Sequence, residues 1–223
     1  MSIMLDIKEE NILQSIPKGD LHVHLNGAIP TDLVKNILEK DLTIIPSSFD
    51  LDKNLNILEP QNHLSDYLKP WEVLNLLPKS KEDLNLIVLE TFRSFKLANI
   101  SFVEIRNTIF YIAKLNSISL ESAILWLLGA LNSASRITGI HFGLIITIRR
   151  SSRSSEDLKN ILSAIKNIGN PDNIVGLDLA GNEDIPVPDD LAYWFNKAKH
   201  DLNLGITIHA GETGNINNIF SSY

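Results

Sequence analysis

The sequence contains no cysteine, and this absence excludes several kinds of site at once. Disulfide frameworks, thiolate metal centres and cysteine nucleophiles all require that residue. A chain without cysteine also fits a reducing compartment, in which disulfides do not persist. We therefore predict a cytoplasmic protein whose functional site is built from other side chains.

Long apolar runs and an excess of positive charge are absent as well. No segment approaches the roughly 18 consecutive apolar residues that a membrane-spanning helix needs. The N-terminal residues include Asp6, Glu9 and Glu10, whereas a secretory signal is basic and then apolar. The formal net charge of −7 opposes non-specific binding to a polyanion. The composition therefore predicts neither a membrane nor a nucleic acid as partner, and it leaves the oligomeric state open.

The chain has the length and the apolar content of one medium-sized domain, which we place at residues 1–223. Its hydrophobic fraction of 44% is sufficient for a packed core. Short segments rich in Val, Ile and Leu alternate with helix patterns, as in a parallel sheet with helical crossovers. The predicted strands are Asp20–Leu25, Ile100–Arg106, Phe142–Ile148, Ile174–Leu179 and Gly205–His209.

Four helices are predicted from capping signals and apolar spacing. Ser, Thr, Asp and Asn favour the first position of a helix, and glycine favours the position after its end. The predicted helices begin at Ser80, at Ser119 (ending near Gly139), at Ser154 (ending near Gly169) and at Asp189 or Asp190 (ending before Gly205).

A doubly wound sheet and a (β/α)₈ barrel both fit this alternation. Polar residues favour the barrel, because His24 and Arg106 lie at the C-terminal ends of their predicted strands, where barrel active sites collect. Asp178 and His209 lie at the same ends of two further strands. Because only about five of the eight β/α units of a barrel are recognisable, we expect an incomplete barrel, truncated at the C-terminus.

Residues 42–79 interrupt the alternation of strands and helices. They contain four prolines and short apolar clusters, among them Tyr67, Leu68 and Trp71. We predict an insertion after the first β/α unit that contains short helices. It either covers the mouth of the site as a lid or packs against the side of the barrel.

Three histidines and one glutamate form the strongest chemical pattern. Alternate residues of a strand face the same side, so His22 and His24 direct two imidazoles to one point. His209 could complete a three-nitrogen zinc site, and Glu212 follows it by three residues. A carboxylate at that place could transfer protons to and from the metal's water. Buried structural histidines are the alternative interpretation.

Three ordered segments resemble the adenosine deaminase family. Pro17–Ile29 resembles its opening signature, Gly176–Glu183 its purine-binding segment, and Thr207–Glu212 its zinc-and-acid segment. The resemblance covers the whole chain but only about the first two-thirds of the family domain. It implies a (β/α)₈-barrel hydrolase acting on C–N bonds of cyclic amidines, which converts adenosine or a related 6-aminopurine nucleoside to the 6-oxo purine and ammonia.

The resemblance also implies roles for individual residues. His22, His24 and His209 match the ligands of one Zn²⁺ per chain, and Glu212 matches the proton-transfer residue that acts at N1 of the purine. Gly181 matches the residue whose backbone N–H contacts the purine. His24 and Asn26 are expected to lie against the substrate as well. Tyr67, Leu68 and Trp71 match an apolar segment at the substrate entrance, and Glu104 and Arg106 match a pair that we interpret as mainly structural.

One departure from the family pattern concerns the substrate. The adenosine-specific members usually have aspartate where this chain has Asn26, and asparagine resembles the branch that acts on N6-modified adenosine monophosphate. Removing a carboxylate near the ribose would reduce repulsion of a phosphate. Arg149, Arg150 and Arg153 could meet that phosphate, or they could form a solvated basic loop.

A second departure concerns completeness. The family places a further catalytic histidine on the sixth strand and a zinc-binding aspartate on the eighth, and neither segment is among these residues. We therefore expect weak zinc binding and little conversion of adenosine. Two alternatives stay open, namely an inactive truncated fragment and a non-catalytic module whose missing strands come from a partner chain.

Overall fold

Five parallel strands form one curved sheet in the computed structural model, which describes residues 12–220 apart from the side chain of residue 41. The spatial order of the strands is their order in the chain, so every crossover joins neighbouring strands. The predicted strands are all present; Leu25 and His209, however, lie one residue beyond their strands. The strands are β1 (Lys18–His24), β2 (Ile100–Asn107), β3 (His141–Arg149), β4 (Ile174–Ala180) and β5 (Gly205–Ile208).

Helices connect the strands and cover the outside of the sheet. The α-helices are α1 (Thr31–Leu38), α2 (Leu51–Asn54), α3 (Leu64–Tyr67), α4 (Trp71–Leu74), α5 (Lys81–Leu97), α6 (Ile109–Asn116), α7 (Leu120–Thr138), α8 (Ser154–Asn167), α9 (Leu191–Leu202) and α10 (Ile216–Phe220). Two 3₁₀ helices, Leu25–Ala28 and Glu39–Ile44, precede and follow α1.

The predicted caps of the two longest helices are confirmed. The Ser80 hydroxyl accepts a hydrogen bond from the Asp83 N–H at 3.0 Å, and the Ser119 hydroxyl accepts one from the Ser122 N–H at 3.2 Å. Each bond satisfies a donor that the first turn of a helix leaves unpaired. Gly139 ends α7 with a positive φ of 75°, as expected for a glycine after a helix.

No single helix within residues 12–220 is long and apolar enough to cross a membrane. The consecutive helices α6 and α7 reach that length and composition only when they are counted together, and they bend by 110° at their junction.

The main core lies between the sheet and the helices α5, α7, α8 and α9. Strand β3 is buried along its middle on both faces, which is why its sequence is almost continuously apolar. The outer face of β2 contributes Val103 and Ile105 to this core, and α5 contributes Phe92. The fully buried side chains therefore fix the helices against the outside of the sheet and leave its inner face to polar residues.

A second, smaller core holds the predicted insertion at residues 42–79 in place. Phe49, Val73, Leu74 and Leu77 from this segment pack with residues of α1 such as Leu38, and all of them are buried. The three one-turn helices α2, α3 and α4 lie in this segment. Its role as a lid stays a prediction.

Candidate active site

The three predicted histidines meet inside the curve of the sheet. His22 and His24 belong to β1 and His209 directly follows β5, so the residues come from the two opposite edges. Nevertheless, the Nε2 atom of His209 lies 2.9 Å from that of His22 and 3.1 Å from that of His24. Two nitrogens on one tetrahedral zinc ion would be about 3.3 Å apart. The structure therefore places three imidazole nitrogens at ligand spacing.

The surroundings of two of these rings favour the neutral form, which binds metals. Burial lowers the pKa of His24 to about 4, with the neighbouring His209 ring adding to the effect. Burial also lowers the pKa of His22, together with the positive charge of Arg106 and with His209. Both rings are therefore neutral at pH 7, and a neutral imidazole nitrogen is a common metal ligand.

Asp178 orients the third ring. Its Oδ1 atom lies 3.1 Å from Nδ1 of His209, and this hydrogen bond raises the pKa of His209 in spite of the ring's burial. With the proton on Nδ1, the lone pair of Nε2 points to His22 and His24. A carboxylate behind a histidine is the usual support of a metal ligand. Asp178 was singled out in the sequence only by its position at a strand end.

A buried ion pair lies beneath the histidines. Arg106 is 4% exposed and Asp178 0%, and Arg106 Nη1 lies 3.3 Å from Asp178 Oδ1. Arg106 also donates to the hydroxyl of Thr207 at 2.6 Å and to the carbonyl of Leu21 at 3.1 Å. Burial alone would raise the pKa of Asp178, but the bonds from His209 and Thr207 and the charge of Arg106 lower it overall. Arg106 thus joins β1, β4 and β5 around one carboxylate.

One cavity of about 760 Å³ contains all the predicted site residues, a size common for small-molecule sites. The side chain of Glu212 is exposed to it, next to the histidines. Gly181 has a positive φ of 103°, a backbone conformation that glycine adopts without strain, and it forms part of the cavity wall. The cavity is lined by His22, His24, Asn26, Gly181, His209 and Glu212, and also by Tyr67, Leu68 and Trp71 of the insertion.

Asn26 connects the site to the insertion. Its Nδ2 donates to the carbonyl of Leu74 at 3.1 Å, and its Oδ1 accepts from Asn107 at 3.1 Å. An aspartate could not donate to Leu74. Asn107 was missed in the sequence, where an asparagine at the end of β2 has no local signal. Its Oδ1 is buried without a hydrogen-bond partner among residues 12–220, and the residue lines the cavity.

Of the three arginines that could meet a phosphate or form a solvated basic loop, the structure brings one to the cavity. Arg149 lines it and donates to the hydroxyl of Tyr111 at 3.4 Å. Arg150 is buried and donates to the carbonyl of His209 at 2.8 Å. Arg153 is exposed and pairs with Glu156 at 3.0 Å at the start of α8. The interpretation of these residues as one basic group facing a ligand is therefore wrong for Arg150 and Arg153.

The model of the adenosine deaminase family matches residues 17–222. The chain belongs to the adenosine deaminase family. A curated adenosine deaminase from Clostridium kluyveri is 29% identical over 213 residues, which are 95% of this chain and 60% of that protein. The chain thus spans about 60% of the length of the curated relatives it matches.

Solved structures confirm the predicted partial (β/α)₈ barrel. A zinc-bound amidohydrolase from Burkholderia ambifaria has a TM-score of 0.81 at 20% identity, and the match covers 99% of this chain and 59% of that one. The N6-mAMP deaminase of Arabidopsis has a TM-score of 0.71 at 25% identity, over 95% of this chain and 64% of that one. The five strands therefore form part of the barrel of this family.

Proposed function

We propose that this chain carries the metal-binding and proton-transfer groups of a zinc-dependent purine nucleoside deaminase. The reaction is hydrolysis: adenosine, or a related 6-aminopurine nucleoside, and water give the 6-oxo purine and ammonia. The convergence of three Nε2 atoms next to Glu212 in one cavity supports this proposal most strongly. Membership of the adenosine deaminase family supports it independently.

His22, His24 and His209 would hold one zinc ion through their Nε2 atoms. The donor set fits this ion, because all three rings offer a nitrogen and Asp178 orients one of them from behind. Bound zinc would supply a water molecule that loses its proton near neutral pH. The position of this group of donors inside the cavity would place that water beside a purine.

The other residues would bind the substrate and move a proton. Glu212 would give a proton to N1 of the purine as the 6-amino group is replaced. The backbone N–H of Gly181 would contact the ring, and Asn26 would lie near the ribose. Trp71 and Tyr67, which are 6.3 Å apart between ring centres, would form an apolar wall at the entrance. In this proposal residues 42–79 act as a lid that reduces the access of bulk water.

The test combines metal analysis with turnover of adenosine by the purified 223-residue chain. We expect one weakly bound zinc per chain and a slow loss of the ultraviolet absorbance of adenine. Replacing Glu212 by Gln should abolish turnover and leave the zinc content unchanged, because this side chain is not among the three imidazole donors. Replacing His209 by Ala should remove both.

Three results would contradict parts of this proposal. A wild-type chain that binds no zinc would contradict the metal site. Turnover that is unaffected by Glu212→Gln would contradict the role of the carboxylate. Full zinc content without any turnover would favour the alternative of a non-catalytic chain.

A second candidate substrate is an N6-modified adenosine monophosphate. The amide of Asn26 adds no negative charge near the ribose, and Arg149 brings a positive charge to the cavity. The similar structure of an N6-mAMP deaminase supports this candidate. Turnover of adenosine, adenosine monophosphate and its N6-methyl form should be compared in the wild type and in Arg149→Gln, with Arg153→Gln as a matched control outside the cavity. A preference for plain adenosine in all three proteins would argue against this candidate.

The cellular setting belongs to the same proposal. We predict a cytoplasmic protein whose partner is a small-molecule purine rather than a nucleic acid or a membrane. Fractionation of cells that express the chain, together with binding measurements for nucleosides and for oligonucleotides, would test both statements.

A further inference from the structure

The loop from His209 to Thr213 carries both a predicted metal ligand and the predicted acid, yet it has little packing of its own. Residues 210–215 include no buried side chain. A segment with so few apolar contacts depends on hydrogen bonds for its geometry. Two buried charged residues, which lie in the segments after β3 and β4, supply such bonds, and neither of them lines the cavity.

Glu183 is the first of these residues. It lies just after β4, is 4% exposed, and accepts hydrogen bonds from the backbone N–H groups of Gly211, at 2.6 Å, and of Thr213. These two amides lie on either side of Glu212. A carboxylate that holds both of them fixes the peptide planes before and after Glu212, and with them the direction in which its side chain leaves the backbone.

The backbone of Gly211 makes this turn possible. Its φ of +86° lies in the left-handed region, which glycine adopts without the strain that a Cβ brings. A Cβ at this position would also lie 2.9 Å from Cδ1 of Ile219. The turn before Glu212 therefore requires a glycine at position 211, and Glu183 accepts a hydrogen bond from the N–H of that glycine.

Arg150 is the second of these residues. It is 8% exposed and donates to the carbonyl of His209 at 2.8 Å, while its own N–H bonds to the carbonyl of Ala180 at 2.8 Å. The N–H of His209 donates to the carbonyl of Leu179 at 2.9 Å. Both the N–H and the carbonyl of His209 are thus hydrogen-bonded. His209 therefore fixes the start of the loop that carries Glu212.

We propose that Glu183 and Arg150 are positioning residues, which together hold Glu212 at a fixed place relative to Nε2 of His209. Glu183 orients the two peptides that flank Glu212, and Arg150 fixes the carbonyl from which the loop departs. This inference rests on the proposed function, because it assigns a purpose to the placement of the proton-transfer residue. Neither residue lines the cavity, and Arg150 bonds to His209 through its backbone carbonyl rather than its ring.

The main test is Glu183→Gln in the full chain, with Glu156→Gln as the matched control. Glutamine has the same shape but offers an NH₂ group where the second backbone N–H needs an acceptor. We expect amide hydrogen exchange at Gly211 and Thr213 to become about tenfold faster or more, because the local opening of the loop becomes easier. Exchange elsewhere should be unchanged, and so should the zinc content. Glu156 is an exposed residue of α8 that pairs with Arg153, and its replacement should leave every readout unchanged.

Turnover separates a positioning role from a merely structural one. A displaced acid should lower kcat by about 10- to 100-fold while KM changes little, because the contacts that bind the purine remain. Faster exchange at residues 211 and 213 together with an unchanged kcat would overturn the positioning role. Unchanged exchange at these two amides would show that Glu183 does not hold the loop.

Two further variants keep the inference testable if Glu183→Gln does not fold. Arg150→Lys keeps the charge but replaces the rigid fork of donors, and Glu183→Asp keeps the carboxylate on a shorter stem. Both should show intermediate increases in exchange at Gly211 and Thr213, and no increase would overturn the proposal. A wild-type chain without turnover would contradict the proposed function, whereas the exchange experiment would still decide whether Glu183 and Arg150 hold the loop.

Discussion

Asp178 and His209 face each other across 3.1 Å, from Oδ1 to Nδ1, with the carboxylate completely buried. Strand β4 supplies the carboxylate, and the residue that directly follows β5 supplies the ring. The two strands are parallel neighbours, and Asp178 lies opposite Thr207. His209 is two residues after Thr207 and faces the same side of the sheet, so its ring lies next to the carboxylate. The register of two strands therefore determines the orientation of a predicted metal ligand.

Replacing Asp178 by Asn tests this relationship. We expect zinc affinity to fall about 10- to 100-fold, because the ring loses the charged partner that orients it. The free energy of unfolding should fall by about 3 kcal/mol, since Arg106 would keep its charge in a buried place. Zinc titration and urea unfolding measure the two effects. Asp172→Asn, at an exposed position before β4, is the control, and equal effects of the two variants would refute the explanation.

Zinc should stabilise the folded chain through the three histidines. A ligand that binds only the folded state adds about 2.7 kcal/mol to the free energy of unfolding when its free concentration is about 100 times Kd. We expect this increase for the wild type and not for His24→Ala. Urea unfolding with zinc and with a chelator measures it. His141→Ala, at an exposed position at the start of β3, should respond as the wild type does.

Acid should remove a stabilising contribution from Glu183. Burial would raise the pKa of its carboxyl, but the hydrogen bonds from Thr213 and Gly211 lower it to about 2, below its usual value of 4.5. Because the folded pKa lies below the unfolded one, the contribution is complete above about pH 4.5 and is lost as the pH falls toward 2. The difference in unfolding free energy between wild type and Glu183→Gln should shrink over that range. A difference that does not change with pH would contradict this assignment.

Replacing Asn26 by Asp should loosen the insertion. The variant loses the bond to the carbonyl of Leu74 and places a negative charge beside that oxygen, so we expect a loss of about 1 kcal/mol and faster amide exchange in α4. If the substrate carries a phosphate, its turnover should fall more than that of adenosine, because the new carboxylate repels it. Unchanged exchange in α4 would show that Asn26 does not connect the site to the insertion.

Much of the fold could be predicted from local patterns. The five strands are short apolar segments, and Ser80 and Ser119 begin their helices with side-chain bonds to residues three positions later, so the signal lies within one turn. Helix α6 was not predicted. Phe110, Tyr111 and Ile112 have side chains that favour strands. The segment is a helix because that conformation buries both Ile109 and Ile112 in the main core.

The candidate site divides in the same way. The histidines and the acid could be predicted from local patterns, because His22 and His24 share a face through the alternation of one strand and Glu212 follows His209 in one short loop. The contacts that hold these residues are visible only in the folded chain: Arg149 faces the cavity, Asn26 bonds to Leu74, and Glu183 accepts hydrogen bonds from the amides on either side of Glu212. These contacts join residues 28 to 59 positions apart in the chain, and they depend on strand register and sheet curvature, which no local pattern encodes.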